Sequence, residues 1–396
     1  MHQVYQQALA LQPELVEIRH ILHQNAEVGQ QLPRTKAFVK EKLIQYGYCP
    51  QELAHSSLTA TIQGSRPGKT ILLRADMDAL ALQEQTGLPF QCNTGSMHGC
   101  GHDLHTTMLL GAAKLLKAHQ AQLCGTVKLL FQEDEEGFTG AKSVIRDGIL
   151  QDPAVDAAVA LHVHSGAPSC TVLGALGPFM AGCTLFRIQV QGVGCHGAMP
   201  ETGVDPINIA AHIYLSLQEI VAREVAAQDP CVLTIGKFSA GSAPNILPGT
   251  AVLEGTIRYK DQATGDRVFT RIRQIAELCA RSFQGEAIVT ELASAPPLVN
   301  NEALVREICA TVQQFADPQQ IHLLNQGGMG SEDFAAFSSL VPVAYLLLGA
   351  GSRQENERYG KPMHNAGIMF NEDILSFGSA ILAAGAMDWL EHHAQP

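Results

Sequence analysis

Nine consecutive residues, Met97-His98-Gly99-Cys100-Gly101-His102-Asp103-Leu104-His105, gather a thiol, imidazoles and a carboxylate in a glycine-flanked loop. Cys100 and His102 are two positions apart, so a loop can aim both at one cation. The loop opens a helix, whose N-terminus is expected to lower a thiol pKa and help keep Cys100 ionised. A buried cysteine beside a helix capped by Asp103 explains the same residues without a metal. A second group is Glu135-Glu136, placed directly after an apolar strand. Adjacent carboxylates at a buried strand end repel each other unless something positive sits there. One can then bind a metal while the other takes a proton from water. Glu133 and Asp134, just before them, read as an acidic surface turn. His162 follows another apolar run, and His364 lies in Pro362-Met363-His364-Asn365. Each is weak alone and gains meaning only as a partner for the others.

The elements that must position these residues are legible from periodicity. Leu15, Ile18 and Leu22 share one helical face, and Met108, Leu109, Ala112, Leu115 and Leu116 mark a helix over 105–119. Short apolar runs at 70–73, 127–131 and 156–161 read as buried strands. Strands alternating with helices predict a mostly parallel sheet sandwiched by helices, with ligands bound beyond the carboxyl ends of the strands. Asp76, Glu135 and His162 all fall at such ends. From Phe186 the period becomes that of half-buried strands. The order β-α-β-β-α-β over residues 183–295 is the ferredoxin-like split unit. The fold expected is therefore α/β: a catalytic domain of residues 1–182 and 296–396, with an α+β domain inserted at 183–295. Gly177–Gly182 and Ala295–Pro297 would be its hinges. A strand at 343–348 and a closing helix at 372–390 end the chain.

Composition sets outer bounds. The 396 residues are 46% hydrophobic and 16% charged, the range of a folded protein with two domains. A formal charge of -12 argues against nucleic acid or an anionic membrane as the main partner, since both require basic surface. The first residues lack the basic start and apolar run of a secretory signal, and no stretch reads as a bilayer span. A cytoplasmic location is expected. The ten cysteines are scattered with no Cys-x-x-Cys pair, which suits buried small hydrophobes.

The strings RADMDAL (74–80), GCGHDLHTTMLLGAAKLL (99–116), FQEDEEG (131–137) and LHV (161–163) occur in that order. GVGCHGAMP (192–200), APNILPGTAVLEGTIR (243–258), GSEDF (330–334) and MHNAGI (363–368) follow. Together they resemble the bacterial and plant aminoacylase family, which includes hippurate hydrolases and indole-acetyl-amino-acid hydrolases within the dimetal exopeptidase superfamily. The resemblance runs from the first helix to the last. It implies a dimetal catalytic domain with a lid, hydrolysing an N-acyl amino acid or short peptide. Cys100 would bridge two divalent ions (manganese, zinc, nickel or cobalt). His102 and His162 would complete one site, and Glu136 and His364 the other. Glu135 would be the general base that activates the bridging water and then protonates the leaving nitrogen. Asp76 would support a metal-binding histidine. His196 and Asn245 in the lid would donate hydrogen bonds to the scissile carbonyl or the oxyanion. Arg258 would clamp a carboxylate, with a structural ion pair equally open. Such lids often pair through strand edges, so a homodimer or homotetramer is expected, and the lid donors would act within one chain or across to a neighbour.

The chain departs from the family where Glu133-Asp134 replaces Pro-Ala, where Ala26-Glu27 replaces Pro-Glu, and at Leu104, usually Gly. No ligand is lost. Competing readings are a di-/tripeptidase or carboxypeptidase using the same site, a metal-binding protein without turnover, and a Cys-His nucleophilic hydrolase. The last would survive chelation.

Overall fold

Apolar runs of four to seven residues between helical stripes cannot bury both faces alone. They do so here by lining up in one sheet. The computed structural model describes residues 3–394. The chain runs α1 (Gln3–Gln24), α2 (Pro33–Gln45), β1 (Gln51–Glu52), β2 (Leu58–Gln63), β3 (Arg66–Asp76), α3 (His102–Ala118), β4 (Cys124–Gln132), α4 (Gly140–Arg146), β5 (Ala157–His164) and β6 (Val172–Ala175). It continues β7 (Pro178–Met180), β8 (Gly182–Gln191), β9 (Cys195–His196), α5 (Pro206–Glu219), β10 (Cys231–Ala240), β11 (Ile246–Leu247), β12 (Thr250–Tyr259), α6 (Gln262–Ser282), β13 (Glu286–Ala295) and β14 (Leu298–Val299). It closes with α7 (Glu302–Val312), β15 (Ile321–Leu324), α8 (Ala335–Ser338), β16 (Val343–Gly349) and α9 (Ile374–His392).

Two compact units emerge. One comprises residues up to Phe179, Val299–Gly327, and residues from Ala336; the other is Met180–Leu298 with Gly328–Ala335. The first is built on an eight-stranded sheet in the order β1-β2-β4-β3-β5-β16-β6-β15. Its centre, β4-β3-β5-β16, is parallel throughout. Every residue of β4 is buried, as a strand covered on both faces requires. The antiparallel strands β1, at the edge, and β2, beside it, have no counterpart in the sequence expectation because both are short and partly polar. Helices α1, α3, α7 and α9 pack Leu15, Leu109, Ile308 and Ile381 into the same core.

Helix α9 qualifies the expectation that no segment could span a bilayer. The segment expected as the closing helix is long and apolar enough by length and composition alone. Most of its apolar window, 83%, is buried inside the protein, which marks it as a core helix. All ten cysteines are free thiols.

The second unit carries an antiparallel sheet, β10-β12-β8-β13, with α5 and α6 packed on it. This order is the ferredoxin-like one. Phe186, Ile188 and Val190 alternate inward from β8, as the period-two pattern predicts. Ile209, Ile213 and Leu217 on α5 meet Val268, Ile272 and Ala276 on α6 in one core. Asp205 and Asp261 cap the two helices through backbone amides.

The burial pattern of α6 sets a stability contrast. Ile272 is fully buried whereas Leu278 is 62% exposed on the same helix. Ile272→Ala should destabilise the second unit by about 2–5 kcal/mol, and Leu278→Ala by no more than ~0.5 kcal/mol. Equal shifts of the two variants in urea denaturation would contradict the orientation of this helix.

Candidate metal centre

Three parallel neighbours present the chemistry at their carboxyl ends. β3 ends on Asp76, β4 runs into Glu133–Glu136, and β5 carries His162. Gly101 turns the chain into α3 with φ 84°, a left-handed conformation. A Cβ there would lie 2.3 Å from Val163 Cγ2, so a side chain is excluded by space as well as by torsion. The residue expected to cap α3, Asp103, does not. It sits inside the first turn and accepts from Arg19 Nε at 2.9 Å and pairs with His23 Nδ1 at 2.8 Å.

Four side chains, His102, Glu136, His162 and His364, surround the Cys100 sulfur. Its Sγ lies 3.4 Å from His162 Nε2 and 3.3 Å from His364 Nε2. Glu136 Oε1 is 3.2 Å from His364 Nε2 but is not aligned as a hydrogen bond. Cys100, His102 and His162 form one triad of suitable donors, and Cys100, Glu136 and His364 a second. The imidazoles are oriented by backbone carbonyls, which only accept. Asp78 O lies 2.8 Å from His102 Nδ1, and Val163 O 2.7 Å from His162 Nδ1. Both Nδ1 atoms therefore donate, and both Nε2 atoms face inward. His102 Nε2 is buried with no hydrogen-bond partner. An orphaned buried nitrogen facing a thiol is costly unless a cation takes its lone pair, so the donor set fits a divalent metal. His364 adopts φ 64°, uncommon for a residue with a side chain and typical of functional positions.

Electrostatics point the same way. Burial opposes charge on His102, yet Asp76 beside it and the Asp78 hydrogen bond raise its pKa well above the usual imidazole value. The pocket thus calls for positive charge at that ring. For Cys100, burial outweighs every other influence and pushes the thiol up to about 12. The expectation that a helix N-terminus keeps this cysteine ionised fails: desolvation is the larger effect. A cation at the sulfur would deprotonate it outright.

The paired glutamates are held by a residue the sequence analysis did not single out. The Asp78 carboxylate accepts from Glu135 N at 3.0 Å and Glu136 N at 3.2 Å, which fixes the turn. Glu135 Oε2 lies 3.9 Å from His102 Nε2. Glu133 and Asp134 are not the surface turn expected of them. Glu133 is 0% and Asp134 8% exposed. Burial, with Asp134 and Asp78 nearby, raises the Glu133 pKa to about 7. They are buried because the chain after β4 turns back against the protein, where Glu133 N donates to Ser57 Oγ at 3.1 Å and Thr139 Oγ1 donates to the Asp134 carboxylate.

Asp76 is fully engaged, though with other partners than a metal ligand. Its Oδ1 is 2.6 Å from His105 Nδ1 and its Oδ2 2.7 Å from Arg74 Nη1, while His102 Nε2 stands 3.8 Å away. Arg74, Asp78 and His105 lie inside the strings quoted above, so their proximity to candidate ligands was the available signal.

The remaining candidates belong to the second unit. His196 on β9 pairs with Ile246 on β11, and Gly197 N donates to Asn245 O at 2.9 Å, so His196 and Asn245 are neighbours. Arg258 on β12 donates to Ser331 Oγ at 2.6 Å rather than to a carboxylate.

Residues 72–387 match the family model described as Peptidase family M20/M25/M40. The chain belongs to this family. It is 37% identical over 342 residues to the N-acetyl-L-cysteine deacetylase of Bacillus subtilis, covering 86% of this chain and 81% of that one. It is 34% identical over 385 residues to the hippurate hydrolase of Campylobacter jejuni, covering 97% and 98%. The crystal structure of a dinuclear metal-binding M20 peptidase from Bacillus subtilis superposes with a TM-score of 0.78 at 28% identity, covering 96% and 99%. The M20 chain described here is a metal-dependent hydrolase with divalent metal as its cofactor.

Gly101 offers a direct check of the centre's geometry. Gly101→Ala must strain the αL turn and displace Val163, at a cost of about 1–3 kcal/mol. Thermal denaturation should show that loss, and elemental analysis should show reduced bound metal. Unchanged metal content and melting temperature would refute the tight fit.

Proposed function

We propose that this M20 enzyme hydrolyses the amide bond of N-acyl amino acids, releasing a carboxylate and a free amino acid. The observation that supports this best is the pair of donor triads sharing Cys100 beside the buried Glu135. The names of the deacetylase and hippurate hydrolase relatives favour the same substrate class. Cys100, His102 and His162 would hold one ion and Cys100, Glu136 and His364 the other. Two divalent ions, whether manganese, zinc, nickel or cobalt, would polarise the scissile carbonyl and acidify the attacking water.

The protein's own residues carry the proton traffic. Glu135 takes the proton of the attacking water at its carboxylate and delivers it to the leaving nitrogen. Asp78 holds Glu135 and Glu136 by their amides, so the two carboxylates keep separate tasks. Asp76, through its contacts with Arg74 and His105, keeps negative charge beside His102. His196 and Asn245 would donate to the oxyanion, and Arg258 would be the clamp for a substrate carboxylate. The insert at 183–295 acts as the lid and pairing domain of a homodimer or homotetramer. Its edge strand β10 has one open side, and α5 leaves Ile207, Tyr214 and Leu215 exposed. Ten free thiols suit a cytoplasmic compartment.

A peptidase reading is favoured by the M20 peptidase structure and differs in leaving-group size. A panel of N-acyl amino acids and dipeptides, assayed with manganese and with zinc, separates the two. Turnover confined to dipeptides would overturn the aminoacylase reading. Activity that survives exhaustive chelation would overturn the metal mechanism.

Glu135→Gln should retain metal and lose roughly two to four powers of ten in kcat, the usual scale of general acid–base catalysis. Glu136→Gln should instead lower metal occupancy. Full activity of the Glu135 variant would remove it from the mechanism. His196→Ala should lower kcat strongly at unchanged metal content; unchanged kinetics would leave His196 a turn residue of β9.

A further inference from the structure

His105 is a buried imidazole that takes no proton and holds no metal in the hydrolytic scheme, yet both of its ring nitrogens are engaged. Nε2 lies 2.8 Å from Val163 N, and Nδ1 lies 2.6 Å from Asp76 Oδ1. A backbone amide can only donate, so Nε2 must present a lone pair. The proton then sits on Nδ1 and points at the Asp76 carboxylate. The geometry of one ring therefore fixes its tautomer without reference to pH. The peptide it grips is not arbitrary. Val163 O accepts from His162 Nδ1 at 2.7 Å, so the residue that His105 holds by its amide orients His162 by its carbonyl. The rings of His105 and His162 are 4.5 Å apart between centroids. At the other end, Asp76 is tied to α3 a second time, because Thr106 Oγ1 donates to Asp76 O at 2.8 Å. The path Asp76–His105–Val163–His162 thus crosses from the end of β3, through α3, to the end of β5. Backbone pairing of β3 with β5 stops at Arg74 and Ala160, so beyond that point these side-chain bonds tie the two strand ends to α3.

We propose that His105 is a positioning residue for the Cys100–His102–His162 triad, setting the orientation of His162 through the Val163 peptide and of Asp76 beside His102. This rests on that triad being a metal site. The companion triad of Cys100, Glu136 and His364 shares no hydrogen bond with His105, so its response should be distinct. The two hydrogen bonds require a donor and an acceptor about one side chain apart. Glutamine supplies both, with its amide nitrogen toward Asp76 and its oxygen toward Val163 N. Methionine fills similar space and supplies neither.

The test compares His105→Met and His105→Gln with the native protein. Cobalt(II) is titrated into the metal-free chain against a competing chelator, with visible absorption reporting each site. For the Met variant one of two binding steps should weaken by roughly 10–100-fold, the usual effect of losing an outer hydrogen-bond partner, while the other step stays within about threefold. The Gln variant should recover most of that loss. Native-like affinity at both steps in the Met variant would overturn the proposal. Equal loss in both variants would also overturn it, since packing and not hydrogen bonding would then be at stake. Should the Met variant fail to fold, nitrogen NMR of the imidazoles in the native metal-free protein decides. An Nδ1-protonated His105 between pH 6 and 8 supports the proposal, and an Nε2-protonated one refutes it. Because neither readout is turnover, wrong substrate chemistry and a wrong role for His105 give different results. A single cobalt step in the native chain would show failure of the two-ion reading itself.

Discussion

A buried thiol faced by imidazoles is the constraint on which the centre depends. Burial pushes the Cys100 thiol up, and the inward nitrogen of His102 has no hydrogen-bond partner. Only a cation resolves both demands at once. The surrounding structure can be read as the framework that keeps those donors from satisfying each other instead. Backbone carbonyls occupy the outer nitrogens of His102 and His162, and Asp78 occupies the amides of the paired glutamates. His102 Nε2 is left unsatisfied, and the Nε2 atoms of His162 and His364 are left facing the Cys100 sulfur.

That arrangement needs rigid support, which the parallel sheet supplies. β4, β3 and β5 are neighbours with their carboxyl ends on one edge, and their backbones are fully paired up to the point where the ligands begin. Gly101 brings α3 against Val163 at a distance no side chain allows. The buried group of Arg19, His23 and Asp103 then anchors the start of α3 from the opposite side. Burial opposes charge on Asp103, but Arg19 and His23 more than offset it and hold the carboxyl far below its ordinary range. A charge so placed costs stability if either partner is removed. Its use is to fix the loop that carries Cys100 and His102.

Much of this was legible in the chain itself. The strand–helix alternation, the switch to period two at Phe186 and the chemistry-bearing strand ends predict a parallel α/β sheet and a ferredoxin-like insert. Both follow from local periodicity, which is set by which faces are buried. The donors Cys100, His102, Glu136, His162 and His364 were recognisable as residue types, and the order of the motifs joined them. What a string cannot show is direction. Glu133 and Asp134 read as surface because acidic residues usually are, but the turn after β4 folds them inward against Ser57 and Thr139. Asp103 read as a cap because it opens a helix, but Arg19 and His23, eighty or more residues away, claim its carboxylate. The ionisation of Cys100 was misjudged for the same reason. A helix terminus is a local feature, whereas desolvation is set by everything that folds around the sulfur. Composition, periodicity and motif order therefore determined the fold class and the kinds of atoms at the centre. Tertiary structure alone decided which nitrogen of each imidazole faces inward, which carboxylate meets which amide, and that His105 ties Asp76 to Val163. Those choices depend on hydrogen-bond partners brought together from distant segments, and a single sequence does not encode distance between them.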